Sequence, residues 1–114
     1  MTRDEINAFC QSLRASTHVV QWGGSDVWKV GGKVFAVVSD SGVSFKASEI
    51  AFEVLQTQDG LRPAPYLASR GLKWLQNYGP PGGLSDPELR RHIEASYDMI
   101  LAGLTKKKRA ELGS

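Results

Sequence analysis

The chain contains the run Val27-Trp28-Lys29-Val30-Gly31-Gly32-Lys33-Val34-Phe35-Ala36-Val37-Val38. Two segments rich in β-branched and aromatic residues flank a glycine pair, and glycines readily adopt the positive φ angles of a tight primed turn. The pattern therefore predicts a β-hairpin that turns at Gly31-Gly32. A two-residue loop pairs Val30 with Lys33 and places Trp28 opposite Phe35, an aromatic cross-strand pair of the kind that stabilises a sheet.

Further strand-like segments lie on both sides of this hairpin. Residues 19–22 form a short apolar run that ends at a glycine pair, and residues 43–46 follow a turn of Ser, Asp, Ser and Gly. Residues 61–66 contain two prolines at alternate positions, which favour an extended conformation. Residues 73–78 are predicted as the last strand.

The helix signals lie near the two ends of the chain and after the fourth strand. Capping boxes at Thr2/Glu5 and Ser85/Glu88 predict helices over about residues 3–15 and 85–104. A second helix is predicted over about residues 48–57, with Ser48 as its cap. Its apolar spacing places four residues inward: Ile50, Ala51, Val54 and Leu55.

The predicted order of elements is α-β-β-β-β-α-β-α, in one domain spanning residues 1–114. Short turns between neighbouring strands imply antiparallel pairing, so the expected fold class is α+β. We expect an antiparallel sheet of four to six strands with three helices packed on one face.

The composition is that of an ordinary globular domain. The 114 residues are 41% hydrophobic and 23% charged, with a formal net charge of +2 and a single cysteine, Cys10. No apolar stretch of membrane-spanning length is present, and the N-terminus lacks a signal-peptide pattern, so a cytoplasmic location is expected. The basic run at residues 106–109 is expected to complement the C-terminal dipole of the last helix, with weak phosphate contact as the alternative.

Several segments, taken in their order along the chain, resemble the MmcQ/YjbR family. They are the hairpin residues 30–36, the strand at 43–47, the segment 62–68 leading to 73–75, and the last helix with its Glu88-Leu89, Ile93 and Ser96-Tyr97 pattern. The resemblance covers nearly the whole chain in the right order. The loop at residues 79–83, rich in glycine and proline, is a departure from it.

The resemblance implies a small bacterial domain without enzymatic activity and with a frataxin/CyaY-like α+β fold. That fold is similar to a double-wing domain of a phage transcription factor, so the resemblance also implies DNA binding. Because this implication is an analogy of shape, it transfers the fold better than the function.

The residues support a weak, salt-sensitive interaction with double-stranded DNA more readily than catalysis or metal binding. The histidines and Cys10 have no metal-ligand spacing, and no nucleophile elbow or phosphate loop occurs, so no catalytic residue, metal site or cofactor is predicted. Basic side chains on two hairpins would contact phosphates: Lys29, Lys33, Lys46, Arg70 and Lys73. Lysines on strands also commonly block edge pairing, and that alternative stays open.

An interaction or small-ligand module is the second functional hypothesis. If Trp28 and Trp74 lie on a sheet face that no helix covers, they form an exposed aromatic patch for a partner or ligand. The sequence leaves the oligomeric state open, although a monomer is favoured. Cys10 shares a helical stripe with Ile6, Phe9 and Leu13, so its thiol is predicted to be buried and unreactive.

Overall fold

The computed structural model describes residues 1–65, 67, 71–79 and 82–113. This part of the chain contains four helices: α1 (Arg3–Ser12), α2 (Glu49–Leu55), α3 (Asp86–Ala102) and α4 (Lys106–Glu111). It contains six strands: β1 (Ser16–Gln21), β2 (Ser25–Val30), β3 (Lys33–Ser39), β4 (Gly42–Lys46), β5 (Leu61–Pro63) and β6 (Trp74–Asn77). The predicted α+β class is confirmed. The additions to the predicted order are β5, which lies in the segment predicted to be extended, and α4.

All six strands form one antiparallel sheet in the order β1-β2-β3-β4-β6-β5. Neighbouring strands from β1 to β4 are joined by tight turns, as predicted. Helix α2 then carries the chain past the position of β6, so that β5 forms the edge and β6 returns between β4 and β5.

The β2–β3 hairpin turns at Gly31-Gly32, as predicted, and Val30 pairs with Lys33. The predicted pairing of Trp28 with Phe35 is wrong. Lys29 pairs with Val34 and Trp28 pairs with Ala36, so Phe35 is an extra residue in β3. This bulge leaves the side chains of both Phe35 and Ala36 buried in the same core.

The hydroxyl of Ser96 in α3 bridges the strands beside this bulge. It donates to the carbonyl oxygen of Phe35 at 2.7 Å and accepts from the N–H of Lys46 at 2.9 Å. Ser96 is fully buried, and both of the backbone groups it satisfies lie where the β3–β4 pairing ends at Ala36 and Phe45. The two hydrogen bonds therefore fix α3 to the sheet at the point where the hydrogen-bonded pairing of β3 with β4 ends.

The core lies between the sheet and helices α1, α2 and α3. It combines Ile6 and Cys10 from α1, Phe52 from α2, and Leu89, Ile93 and Tyr97 from α3 with one face of the strands. The strand residues in this core are Trp28, Val30, Phe35, Ala36, Val38, Val43, Phe45 and Leu75. The sheet face that carries them is called the helix face below. The predicted burial of Cys10 is confirmed, since its exposed fraction is 0%.

Helix α2 packs through a stripe that matches the predicted one only in part, since Ala51 and Leu55 pack against the core as predicted. Ile50 and Val54, predicted to point inward, are 78% and 67% exposed, whereas Phe52 is 8% exposed. Successive residues turn by about 100° in an α-helix, so positions two residues before and after Phe52 lie on the opposite side. The large aromatic ring occupies the core, and the two β-branched residues consequently face solvent.

The basic run at residues 106–109 does not extend α3. The backbone of α3 is capped at Gly103, and Thr105 begins a separate helix by accepting a hydrogen bond from the N–H of Lys108 at 3.1 Å. Lys106 and Lys107 therefore occupy the first turn of α4, where the helix dipole disfavours cations. The prediction that the basic run stabilises a helix C-terminus is therefore wrong for these two residues. No described helix is long and apolar enough to cross a membrane.

Candidate nucleic-acid interface

Successive side chains of a strand point to opposite sides of the sheet, so each strand has residues on the helix face and residues on the opposite side, called the second face. Ser44 lies between Val43 and Phe45 of the core and therefore projects to the second face, and its partner Gln76 projects there too. The same alternation and pairing assign the remaining strand residues of the second face: Thr17, Val19, Gln21, Ser25, Val27, Lys29, Val34, Val37, Ser39, Lys46, Arg62 and Trp74.

The second face carries positive charge without carboxylates. Within the six described strands its charged residues are Lys29, Lys46 and Arg62. Asp26 is the single acidic residue of these strands, and it belongs to the helix face because it precedes Val27 and pairs with Val38. An anion that approaches the second face therefore meets cations but no acidic side chain from the strands.

Asp26 is held on the helix face by a set of close polar contacts. Its carboxylate accepts hydrogen bonds from Arg3 Nε at 3.0 Å and Asn7 Nδ2 at 2.8 Å, and its other oxygen lies 2.7 Å from His18 Nε2. The hydrogen bond with His18, followed by those from Asn7 and Arg3, lowers the pKa of Asp26 below its ordinary value against the opposing effect of burial. The cluster joins α1 to β1 and β2 and keeps this carboxylate away from the second face.

The structure distributes the five predicted DNA-contacting residues unevenly. Lys29 and Lys46 share the second face. Lys33 is exposed at the β2–β3 turn but belongs to the helix-face row with Val30. Lys73 is also exposed, and its Nζ lies 5.0 Å from the ring centroid of Phe52 in α2, away from the second face. Arg70 lies outside the described residues.

The predicted wing at the β2–β3 turn is docked against the rest of the molecule. A Cβ atom at Gly31 would lie 2.5 Å from a methyl carbon of Leu104, the buried residue that follows α3. The turn therefore packs closely beneath Leu104 and does not project freely as a wing.

The predicted exposed patch of Trp28 and Trp74 is wrong. Trp28 is 5% exposed and Trp74 is 7% exposed. Trp28 lies on the helix face, where its indole N–H donates to Asn7 Oδ1 at 2.9 Å and its ring lies against His18. Trp74 lies on the second face, since it precedes Leu75 of the helix-face core. The two rings are thus buried on opposite sides of the sheet.

A cavity of about 610 Å³ opens on the second face. Strands β2, β3, β4 and β6, the β1–β2 turn and the segment after β5 contribute its lining: Trp22, Ser25, Val37, Ser39, Ser44, Pro65, Leu67 and Gln76. Trp22 is 63% exposed, while Ser44 and Gln76 are 8% and 7% exposed. The cavity therefore has a polar floor and an accessible aromatic ring at its rim.

Arg62 bonds to the floor of the cavity, although it was not among the predicted DNA-contacting residues. Its Nε donates to Gln76 Oε1 at 2.7 Å, and its guanidinium carbon lies 5.0 Å from the ring centroid of Tyr78. Both contacts depend on the pairing of β5 with β6, which places Arg62 opposite Gln76. The alternate prolines that follow Arg62, Pro63 and Pro65, indicated an extended segment but not its partner strand.

The remaining titratable side chains of the described residues include no metal-binding group and one deeply buried thiol. No group of three or more His, Cys, Asp or Glu side chains is positioned to hold a metal ion within residues 1–65, 67, 71–79 and 82–113. Burial raises the pKa of the Cys10 thiol to about 12, which strongly disfavours the reactive thiolate.

Comparisons with known proteins identify the fold and the family. The model of the YjbR family matches residues 11–99. The crystal structure of the Deinococcus radiodurans protein DR2400, described as a DUF419 domain, is similar with a TM-score of 0.78 and 23% sequence identity, and the match covers 98% of this chain and 88% of that chain. A comparison with curated proteins found no significant match.

Proposed function

The chain belongs to the YjbR family, and on that premise we propose that its second face binds DNA weakly, through phosphate contacts and without sequence preference. The observation that carries the proposal is the segregation of charge on the sheet. Lys29, Lys46 and Arg62 share one face, and the only strand carboxylate in the described chain is engaged on the other. The proposal is one of binding and includes no catalytic step.

Phosphate contacts account for the expected strength and salt dependence of binding. Three contacts displace roughly three counterions, so the logarithm of the affinity should fall with the logarithm of the salt concentration with a slope of about −2.7. Between about 50 and 200 mM salt this slope corresponds to a loss of about 40-fold. Non-specific complexes of this type dissociate in the range of about 1 to 100 μM.

The test is a fluorescence-anisotropy titration of a labelled duplex at several salt concentrations. The variant Lys29→Gln/Lys46→Gln should reduce the magnitude of the salt slope by about two, since each lysine removed from a phosphate reduces it by about one. The control Lys106→Gln/Lys107→Gln has the same change in formal charge, but its substitutions lie in α4. It should leave the slope nearly unchanged.

Two results would contradict the proposal. The first is the absence of binding at about 100 μM protein in low salt, the weak limit of non-specific affinity. The second is an equal reduction of the salt slope in both double variants, which would show that only the net charge of the protein matters.

A further inference from the structure

We propose that the cavity on the second face accepts an unpaired nucleobase, so that single-stranded nucleic acid is a better ligand than duplex. This inference rests on the proposed function and specifies the form of nucleic acid that the same face prefers. The cavity volume of about 610 Å³ lies within the range of small-ligand sites.

The floor of the cavity offers unused hydrogen-bonding groups. Gln76 Oε1 is occupied by Arg62, which leaves the Nε2 group with two donor hydrogens. Among the residues that the structure describes, neither Gln76 Nε2 nor the Ser44 hydroxyl bonds to another described side chain or backbone group. Both residues are more than nine-tenths buried and line the cavity. No buried side-chain nitrogen or oxygen of the described residues lacks a hydrogen-bond partner, so these two unpaired groups are open to the cavity and can bond to a ligand with a polar edge.

Trp22 supplies an aromatic surface at the rim. It occupies a turn with a φ angle of 51°, followed by two glycines that also have positive φ angles. This backbone leaves the Trp22 side chain 63% exposed and among the residues lining the cavity. Exposed indoles stack on unpaired bases of any sequence, because every base has a π-face.

Arg62 provides a cation next to the polar floor. Its hydrogen bond to Gln76 and its position over Tyr78 hold the guanidinium beside the cavity. A nucleotide combines the features that these side chains complement, since it has a flat base with acceptor atoms on its edge and a phosphate attached through the sugar. In a duplex, pairing and stacking occupy the base edge and faces, so only a single strand can place a base in the cavity.

The experiment compares a labelled twelve-nucleotide oligothymidylate with a labelled duplex at the same low salt concentration. Thymine presents carbonyl acceptors to Gln76 Nε2 and Ser44. Stacking and base contacts should make the single strand bind at least about tenfold more tightly than the duplex. Trp22→Ala should remove most of that difference while changing duplex affinity less than about twofold. Ser44→Ala should also reduce the affinity for the single strand.

Val20→Ala is the matched control, because Val20 is a 58% exposed apolar residue of β1 that does not line the cavity. It should leave both affinities unchanged. Equal affinity for the two probes, or a single-strand affinity that Trp22→Ala does not alter, would overturn the cavity proposal while salt-dependent duplex binding still stands. Failure of both probes to bind would overturn the proposed function and this inference together.

Discussion

Cys10 illustrates a residue whose environment follows from helical spacing alone. Its thiol lies in the core with Ile6 on the inner side of α1, with no exposed surface and a pKa raised to about 12. Reaction of the native protein with a thiol reagent at neutral pH should therefore be limited by unfolding and far slower than reaction in denaturant. Cys10→Ala should lower the free energy of unfolding by about 1 kcal/mol, because it creates a small cavity. Rapid stoichiometric modification of the native protein would contradict the burial.

Asp26 should make stability depend on pH in the acid range. Its pKa is lowered in the folded state, so its contribution is present above the unfolded value, near 3.8, and is lost as the pH falls through the lower folded value. At neutral pH, Asp26→Asn should lower the free energy of unfolding by about 1–3 kcal/mol, because charge-assisted hydrogen bonds from Arg3, Asn7 and His18 are weakened.

The control for Asp26 is Asp40→Asn. Asp40 also contacts Arg3, at 2.8 Å, but its side chain is 95% exposed. Its substitution should change stability by less than about 1 kcal/mol. Urea unfolding at several pH values measures both variants, and an Asp26→Asn deficit that stayed constant well below pH 3.8 would refute the assigned linkage.

At the scale of elements, one hydroxyl adds two hydrogen bonds to the apolar contact between α3 and the sheet. Ser96→Ala removes the partner of the Phe35 carbonyl and of the Lys46 N–H in a fully buried position. The free energy of unfolding should fall by about 1–3 kcal/mol, the cost of leaving buried polar groups unsatisfied. Ser16→Ala in the edge strand β1 should cost less than about 0.5 kcal/mol. Equal stability of the two variants in denaturant unfolding would exclude this role for Ser96.

Most of the elements were predictable from local signals, except β5 and α4, but several of their relations were not. Capping boxes located the starts of α1 and α3, and the Gly31-Gly32 pair located the hairpin turn. The pattern of apolar residues in β3 does not show where a strand contains an extra residue, so the bulge at Phe35 could not be predicted from the sequence. In α2, the competition between Phe52 and the pair Ile50 and Val54 for the core was decided by tertiary packing.

The candidate site was less accessible to sequence reasoning, because it is assembled across strands. Alternation is enough to put Lys29 and Lys46 on one face once the strands are known. The pairing of Arg62 with Gln76 requires β6 to return between β4 and β5. The cavity further requires Pro65 and Leu67 to lie against the sheet, a placement that no local pattern indicates.

At the scale of the whole molecule, the two faces of the sheet have different roles. The helix face carries the core, and the acidic residue of the strands is held there beside α1. The second face carries Lys29, Lys46 and Arg62 together with the cavity. The chain belongs to the YjbR family and shares its fold with DR2400, whereas a relation to frataxin-like proteins stays a prediction.

The central claim is that nucleic acid binds the second face, and mapping of backbone amide chemical shifts during titration with a DNA oligonucleotide at low salt tests it most directly. The account predicts that the largest shifts fall on β2, β4 and β6 around Lys29, Lys46 and Gln76, and that they diminish together as salt is added. Largest shifts on the lysine run at the start of α4, with the strand amides unmoved, would contradict it.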